Sequence, residues 1–122
     1  MEENLIGGSK ETMRYYLIDE IAPQDMKKAM GFLRKNAMTS CLDSLFWVRL
    51  PDDLLSPEQY EHDRCRPYVF AVETGADWIR FELFIRTLNT MKCTCPAYCS
   101  ANQRDFVVNF ADSMIEELAI TT

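Results

Sequence analysis

The sequence predicts an α+β fold, a mostly antiparallel sheet of four to five strands with two main helices packed on one face. Three observations carry that expectation: a hairpin pattern over residues 67–86, two segments whose apolar residues recur at helical spacing, and short runs rich in aromatic and β-branched residues between them. The expected order is strand, helix, strand, short helix, strand, strand, an optional further strand, and a long helix.

Residues 1–12 contain Gly7-Gly8-Ser9 and few apolar side chains, so they read as an N-terminal arm, with the domain occupying 13–122. Residues 13–18 (MRYYLI) suit a first strand that stops at Asp19-Glu20. Pro23 then stands at a first helical position and Asp25 in the first turn, and Met26, Ala29, Met30, Leu33 and Ala37 share one face. Arg34 and Lys35 fall at the C-terminal end, where the helix dipole favours cations. Gly31 costs such a helix ~1 kcal/mol relative to alanine, which points to close packing against a strand.

Residues 44–50 (SLFWVRL) form the next expected strand, closed by Pro51 and Asp52-Asp53. Ser56, Pro57 and Gln59 mark the start of a short helix by a capping box. The hairpin follows, and a two-residue turn at Gly75-Ala76 with positive φ at the glycine sets its register. Val72 then faces Ile79, Phe70 faces Phe81 and Tyr68 faces Leu83, all apolar, while Ala71 with Arg80 and Val69 with Glu82 point the other way. Residues 88–95 extend the sheet in this reading. Ser100 and Gln103 form a second capping box, and Phe106, Val107, Phe110, Ala111, Met114 and Leu118 make the apolar stripe of the last helix.

Composition narrows function by exclusion. A net charge of −6, with seven acids against Arg64 and Arg66 over residues 51–77, opposes binding to nucleic acid. Apolar runs of about seven residues fall far short of the ~20 that cross a bilayer, so no membrane partner is expected. Five cysteines, an odd number in a chain of 122 residues that needs no staples, suggest thiols in a cytoplasm rather than a secreted disulfide framework. Phosphate-binding glycine loops and the familiar hydrolase, zincin and calcium-loop motifs are absent from the sequence.

Two constellations remain. Cys93, Cys95 and Cys99 lie within seven residues before a helix, whose N-terminus favours thiolate over thiol. Cys65 or Cys41 completes a four-sulfur set, or His62 joins as a nitrogen ligand, so zinc, an iron-sulfur cluster and a redox thiol pair are the chemistries considered. His62 and Cys65, three residues apart, also have the composition of a base and nucleophile pair, but no third group to orient them is evident. The other constellation is a surface. If the hairpin parity holds, Trp78, Arg80, Glu82, Phe84 and Arg86 point away from the helices, joined by Trp47 and Arg49. Such mixtures of aromatics and arginine mark binding hot spots. The leading expectation is therefore a non-catalytic interaction domain that meets a protein partner or a second copy of itself, with the metal or redox domain as the alternative.

Overall fold

A computed structural model describes residues 14–89 and 95–122. The arm expected over 1–12, the domain start at Met13 and the candidate ligand Cys93 lie outside the described residues. The elements are β1 (Tyr15–Ile18), α1 (Pro23–Asn36), β2 (Met38–Thr39), β3 (Leu45–Arg49), α2 (Pro57–Glu61), β4 (Tyr68–Thr74), β5 (Ile79–Glu82), β6 (Phe84–Thr87), β7 (Ala97–Tyr98) and α3 (Ala101–Glu117). Every strand pairing is antiparallel. The order across the sheet is β1-β5-β4-β3-β2, with β6 continuing from β4 to β7. The fold class is thus the expected one, with β2 and β7 as short additional strands.

Alternation along the strands decides what the helices cover. Phe46, Phe70, Val72, Ile79 and Phe81 turn to one side and are buried. From α3, Phe110 stacks edge-on against Phe70 at 5.9 Å and Phe81 at 6.4 Å, and Phe32 of α1 meets it at 6.0 Å. Edge-to-face rings add to their area burial the attraction of a positive rim for a negative face. The Tyr16 hydroxyl donates to Asp112 Oδ1 at 2.7 Å, which ties the edge strand β1 to α3.

The hairpin forms, with its turn one residue later than expected. Thr74 pairs with Ile79, Glu73 with Arg80 and Val72 with Phe81, and the Gly75 N–H donates to the Trp78 carbonyl at 2.8 Å. Ala76 and Asp77 are the turning residues, so the pairs expected from a Gly75-Ala76 turn, beginning with Val72 and Ile79, do not form. Gly75 also lacks the expected positive φ. Its role is spatial: a Cβ there would stand 2.1 Å from Cε2 of the Trp78 indole, which lies over the glycine. A turn displaced by one residue shifts every partner by two, and an even shift leaves each side chain on its expected face.

A second adjustment follows at Leu83. The β4 strand leaves β5 after Val72↔Phe81 and resumes with β6 at Val69↔Arg86 and Tyr68↔Thr87. Four residues thus oppose Phe70 and Ala71, a bulge that frees Leu83 to accept from Cys99 N–H and donate to the Arg14 carbonyl. The strand ends at Thr87, and of the extension expected over 88–95, residues 90–94 are outside the described part.

Both main helices start as expected, α1 with Pro23 in its first turn and α3 with the Ser100–Gln103 capping box. Gly31 differs. It is exposed, and a Cβ at that position would meet nothing within 4 Å, so no close packing explains it. Gly31→Ala should therefore raise stability by about 0.5–1 kcal/mol by removing the entropic cost of glycine in a helix. Urea unfolding checks this, and a loss of stability would contradict the open surroundings.

Candidate metal centre

The site begins with two glutamines. Gln59 and Gln103 each occupy the third position of a capping box: the Ser56 N–H donates to Gln59 Oε1 and the Ser100 N–H to Gln103 Oε1, both at 3.0 Å. Capping glutamines usually sit in solvent. Here they are 1% and 2% exposed, because the two helix starts face each other. Gln103 Nε2 donates to Gln59 Oε1 and to the Leu54 carbonyl, each at 2.9 Å, and Gln59 Nε2 donates to the Cys95 carbonyl at 3.1 Å. Burial of an amide is tolerable only when its donors and acceptors are met, and this chain of bonds meets them.

Its consequence is positional. The Cys95 backbone is fastened beside the end of α2, where the chain turns through His62 and a single 3-10 turn at Asp63–Cys65. That turn is held by the Cys65 N–H donating to the His62 carbonyl at 2.9 Å, by Thr87 Oγ1 donating to the Cys65 carbonyl, and by Asn89 Nδ2 donating to the Arg64 carbonyl at 3.0 Å. Ligand atoms of His62, Cys65 and Cys95 then lie within 4.8 Å of one another. The two sulfurs are buried and the imidazole is half-buried. The Tyr68 hydroxyl reaches into the same place, with Cys95 Sγ and the His62 carbonyl both at 3.3 Å. Burial, and then its bond to Cys95, hold that hydroxyl far above its ordinary pKa, so it remains a donor.

The sequence-derived ligands are thus divided. Cys65 and Cys95 meet, and His62 joins them, as the nitrogen-ligand alternative anticipated. Cys99 is outside the cluster, since its N–H is engaged by Leu83 and it lies next to the α3 cap. Cys41 is exposed on the loop between β2 and β3. The thiolate expected from the helix N-terminus does not arise at Cys99. Burial pushes that thiol up to about 11, outweighing the attraction of Arg104.

On the opposite sheet face, Trp47, Arg49, Trp78, Arg80, Glu82, Phe84 and Arg86 take the side that alternation assigned. Arg80 donates to Glu73 Oε1 through Nε at 2.8 Å and through a terminal nitrogen at 2.6 Å, and lies over the Tyr15 ring at 4.4 Å and the Trp78 ring at 5.2 Å. Arg86 donates to both carboxylate oxygens of Glu82, at 2.7 and 2.8 Å, and lies over Phe84 at 5.0 Å. Glu82 is not solvated but buried, as its bidentate partner permits. Hydrogen bonds to Glu73 and Glu82 raise the pKa values of Arg80 and Arg86 above the ordinary arginine value, so both guanidinium groups stay charged at any working pH.

Sequence reasoning missed the two glutamines and the Tyr68 hydroxyl as site components. The capping boxes were legible, as was the placement of Tyr68 in the core. A buried tyrosine needs a partner for its hydroxyl, and that requirement was the available signal. No protein-family model, curated protein or solved structure matches this chain.

Two measurements test this arrangement. Gln103→Ala should cost about 2–3 kcal/mol, since it strands buried partners, and the double variant with Gln59→Ala should cost clearly less than the two singles added. Additive losses in urea unfolding would show that the glutamines act separately. For Cys99, the unfolded chain ionises near the ordinary thiol value of 9.0 and the folded chain near 11, so its contribution is intact below pH 9 and is lost as pH rises through the folded value. Cys99→Ser should flatten the fall in stability across that window, and an unchanged slope would contradict the assigned burial.

Proposed function

We propose that this chain is a small, non-catalytic zinc-binding domain of the cytoplasm, in which His62, Cys65 and Cys95 ligate the metal. The observation that carries the reading is the convergence of one imidazole and two buried thiols within 4.8 Å. Tetrahedral zinc, with bonds of ~2.3 Å to sulfur and ~2.0 Å to nitrogen, separates its ligand atoms by roughly 3.5–3.8 Å, so a contraction of about 1 Å closes the three onto an ion. Mixed nitrogen and sulfur donors suit zinc, whereas iron-sulfur clusters draw mainly on cysteine alone. Cys93 lies outside the described residues and is the sequence-derived candidate for the fourth position.

The surroundings support a structural metal. Its ligands come from the turn after α2 and from the segment leading to α3, two stretches otherwise joined through the glutamine chain. The Tyr68 hydroxyl beside Cys95 Sγ would stabilise a bound thiolate, in the manner of the outer partners that tune metal sulfurs. The metal reading uses both His62 and Cys65, the residues that the sequence also offered as a base and nucleophile pair.

Elemental analysis of protein purified without chelator should find about one zinc per chain, falling below about a tenth in Cys65→Ser and Cys95→Ser and persisting in Cys99→Ser and Cys41→Ser. A wild-type chain with less than about a tenth of an equivalent of zinc, given how tightly such sites bind, would overturn the proposal.

A further inference from the structure

Cys65 and Cys95, far apart in the chain, are thiols whose sulfurs lie within 4.8 Å of each other. A disulfide sets its sulfurs ~2.05 Å apart, so the pair must close by less than about 3 Å, the scale on which a side chain turning about its Cα–Cβ bond moves its sulfur. Backbone bonds hold the two segments in place while this happens: the Cys65 carbonyl accepts from Thr87 Oγ1, and the Cys95 carbonyl from Gln59 Nε2 at 3.1 Å. Cys65 is 4% exposed and Cys95 2%, which keeps bulky oxidants away from the sulfurs. The imidazole of His62 is only half-buried, and beside it a small oxidant has a way in. Cys41 is exposed on its loop and Cys99 stands outside the cluster.

We infer that Cys65 and Cys95 are a redox switch: a small peroxide joins them as a disulfide, and the site gives up its metal. In the metal-free chain one thiol sulfur attacks a peroxide oxygen. An S–O bond forms, the O–O bond breaks, and the departing hydroxide takes up the thiol proton as water. The second sulfur then attacks the first, forming the S–S bond and breaking the S–O bond, and its proton leaves with the hydroxyl as a second water. The two sulfurs lose two electrons and the peroxide gains them. In the loaded chain the thiolates carry no protons, so solvent supplies two and the zinc ion departs. Zinc is held by thiolate sulfur, which a disulfide does not offer, so His62 alone remains of the three donors. The new bond joins the turn after α2 to the segment before α3, the stretches that the metal joins, so the fold is kept while the ion is lost. The release of zinc rests on the metal reading above, whereas the pairing of the sulfurs does not.

Hydrogen peroxide added to the full chain in two forms, stripped by chelator and loaded with zinc, tests this when followed by proteolysis and mass spectrometry. Both forms should yield a peptide pair joined through Cys65 and Cys95, lighter by two hydrogens and parted by dithiothreitol. Zinc bound to the loaded form, followed with a colorimetric chelator, should fall below about a tenth of an equivalent as the joined peptide appears. Cys99→Ser should behave as the wild type, whereas Cys65→Ser should give no joined peptide. Sulfinic acids without the joined peptide, a link from Cys95 to Cys93 or Cys99 in its place, or zinc that stays bound as the disulfide forms would overturn the inference. A chain that forms the joined peptide but never binds zinc would uphold the thiol pair and overturn the metal reading alone.

Discussion

The hydrogen bond between Gln59 and Gln103 is the contact on which the arrangement of the site depends. Each glutamine already closes the first turn of its own helix, so their pairing locks two helix starts into one unit. The amide left over on Gln59 then holds the Cys95 carbonyl. Cys95 is thereby placed against His62 and Cys65. Without the Gln59–Cys95 bond that carbonyl and the Gln59 side-chain N–H would each lose a buried partner, at a cost of about 1–3 kcal/mol each.

The sheet supplies the platform. Its inner face is fixed by aromatic packing of Phe70 and Phe81 against Phe110, and Tyr68, one alternation further along β4, extends that face to the cluster of His62, Cys65 and Cys95. Its outer face is fixed differently, by arginines that each satisfy a carboxylate and cover a ring. Both faces follow from one parity, which the displaced turn and the two-residue bulge at Leu83 preserve because each shifts the register by an even number. A one-residue bulge would have carried Ile85 outward and Arg86 into the core.

Much of the fold was legible because local and long-range signals coincide. Capping boxes, Pro23, Pro57 and the apolar stripes place the helices, and alternation in residues 68–74 and 79–86 places the faces. The turn position was not legible, since the demand on Gly75 comes from the Trp78 indole three residues on and not from backbone torsion. Gly31 misled for the opposite reason: no neighbour uses the space it leaves. At the cluster, sequence brought forward His62, Cys65 and Cys95, which the fold brings together, but could not rank them against Cys99 and Cys41. Membership is decided by the Gln59–Cys95 bond across 36 positions, and no local pattern encodes a contact at that distance. Among the described residues no helix is long and apolar enough to cross a membrane.

If the paired capping boxes bring one imidazole and two thiols into a single coordination sphere, a bound zinc ion has mixed nitrogen and sulfur ligands. X-ray absorption at the zinc edge of the loaded protein addresses that sphere directly. The spectrum should show sulfur at ~2.3 Å together with imidazole nitrogen at ~2.0 Å. A shell made of nitrogen and oxygen alone, with no sulfur, would contradict it.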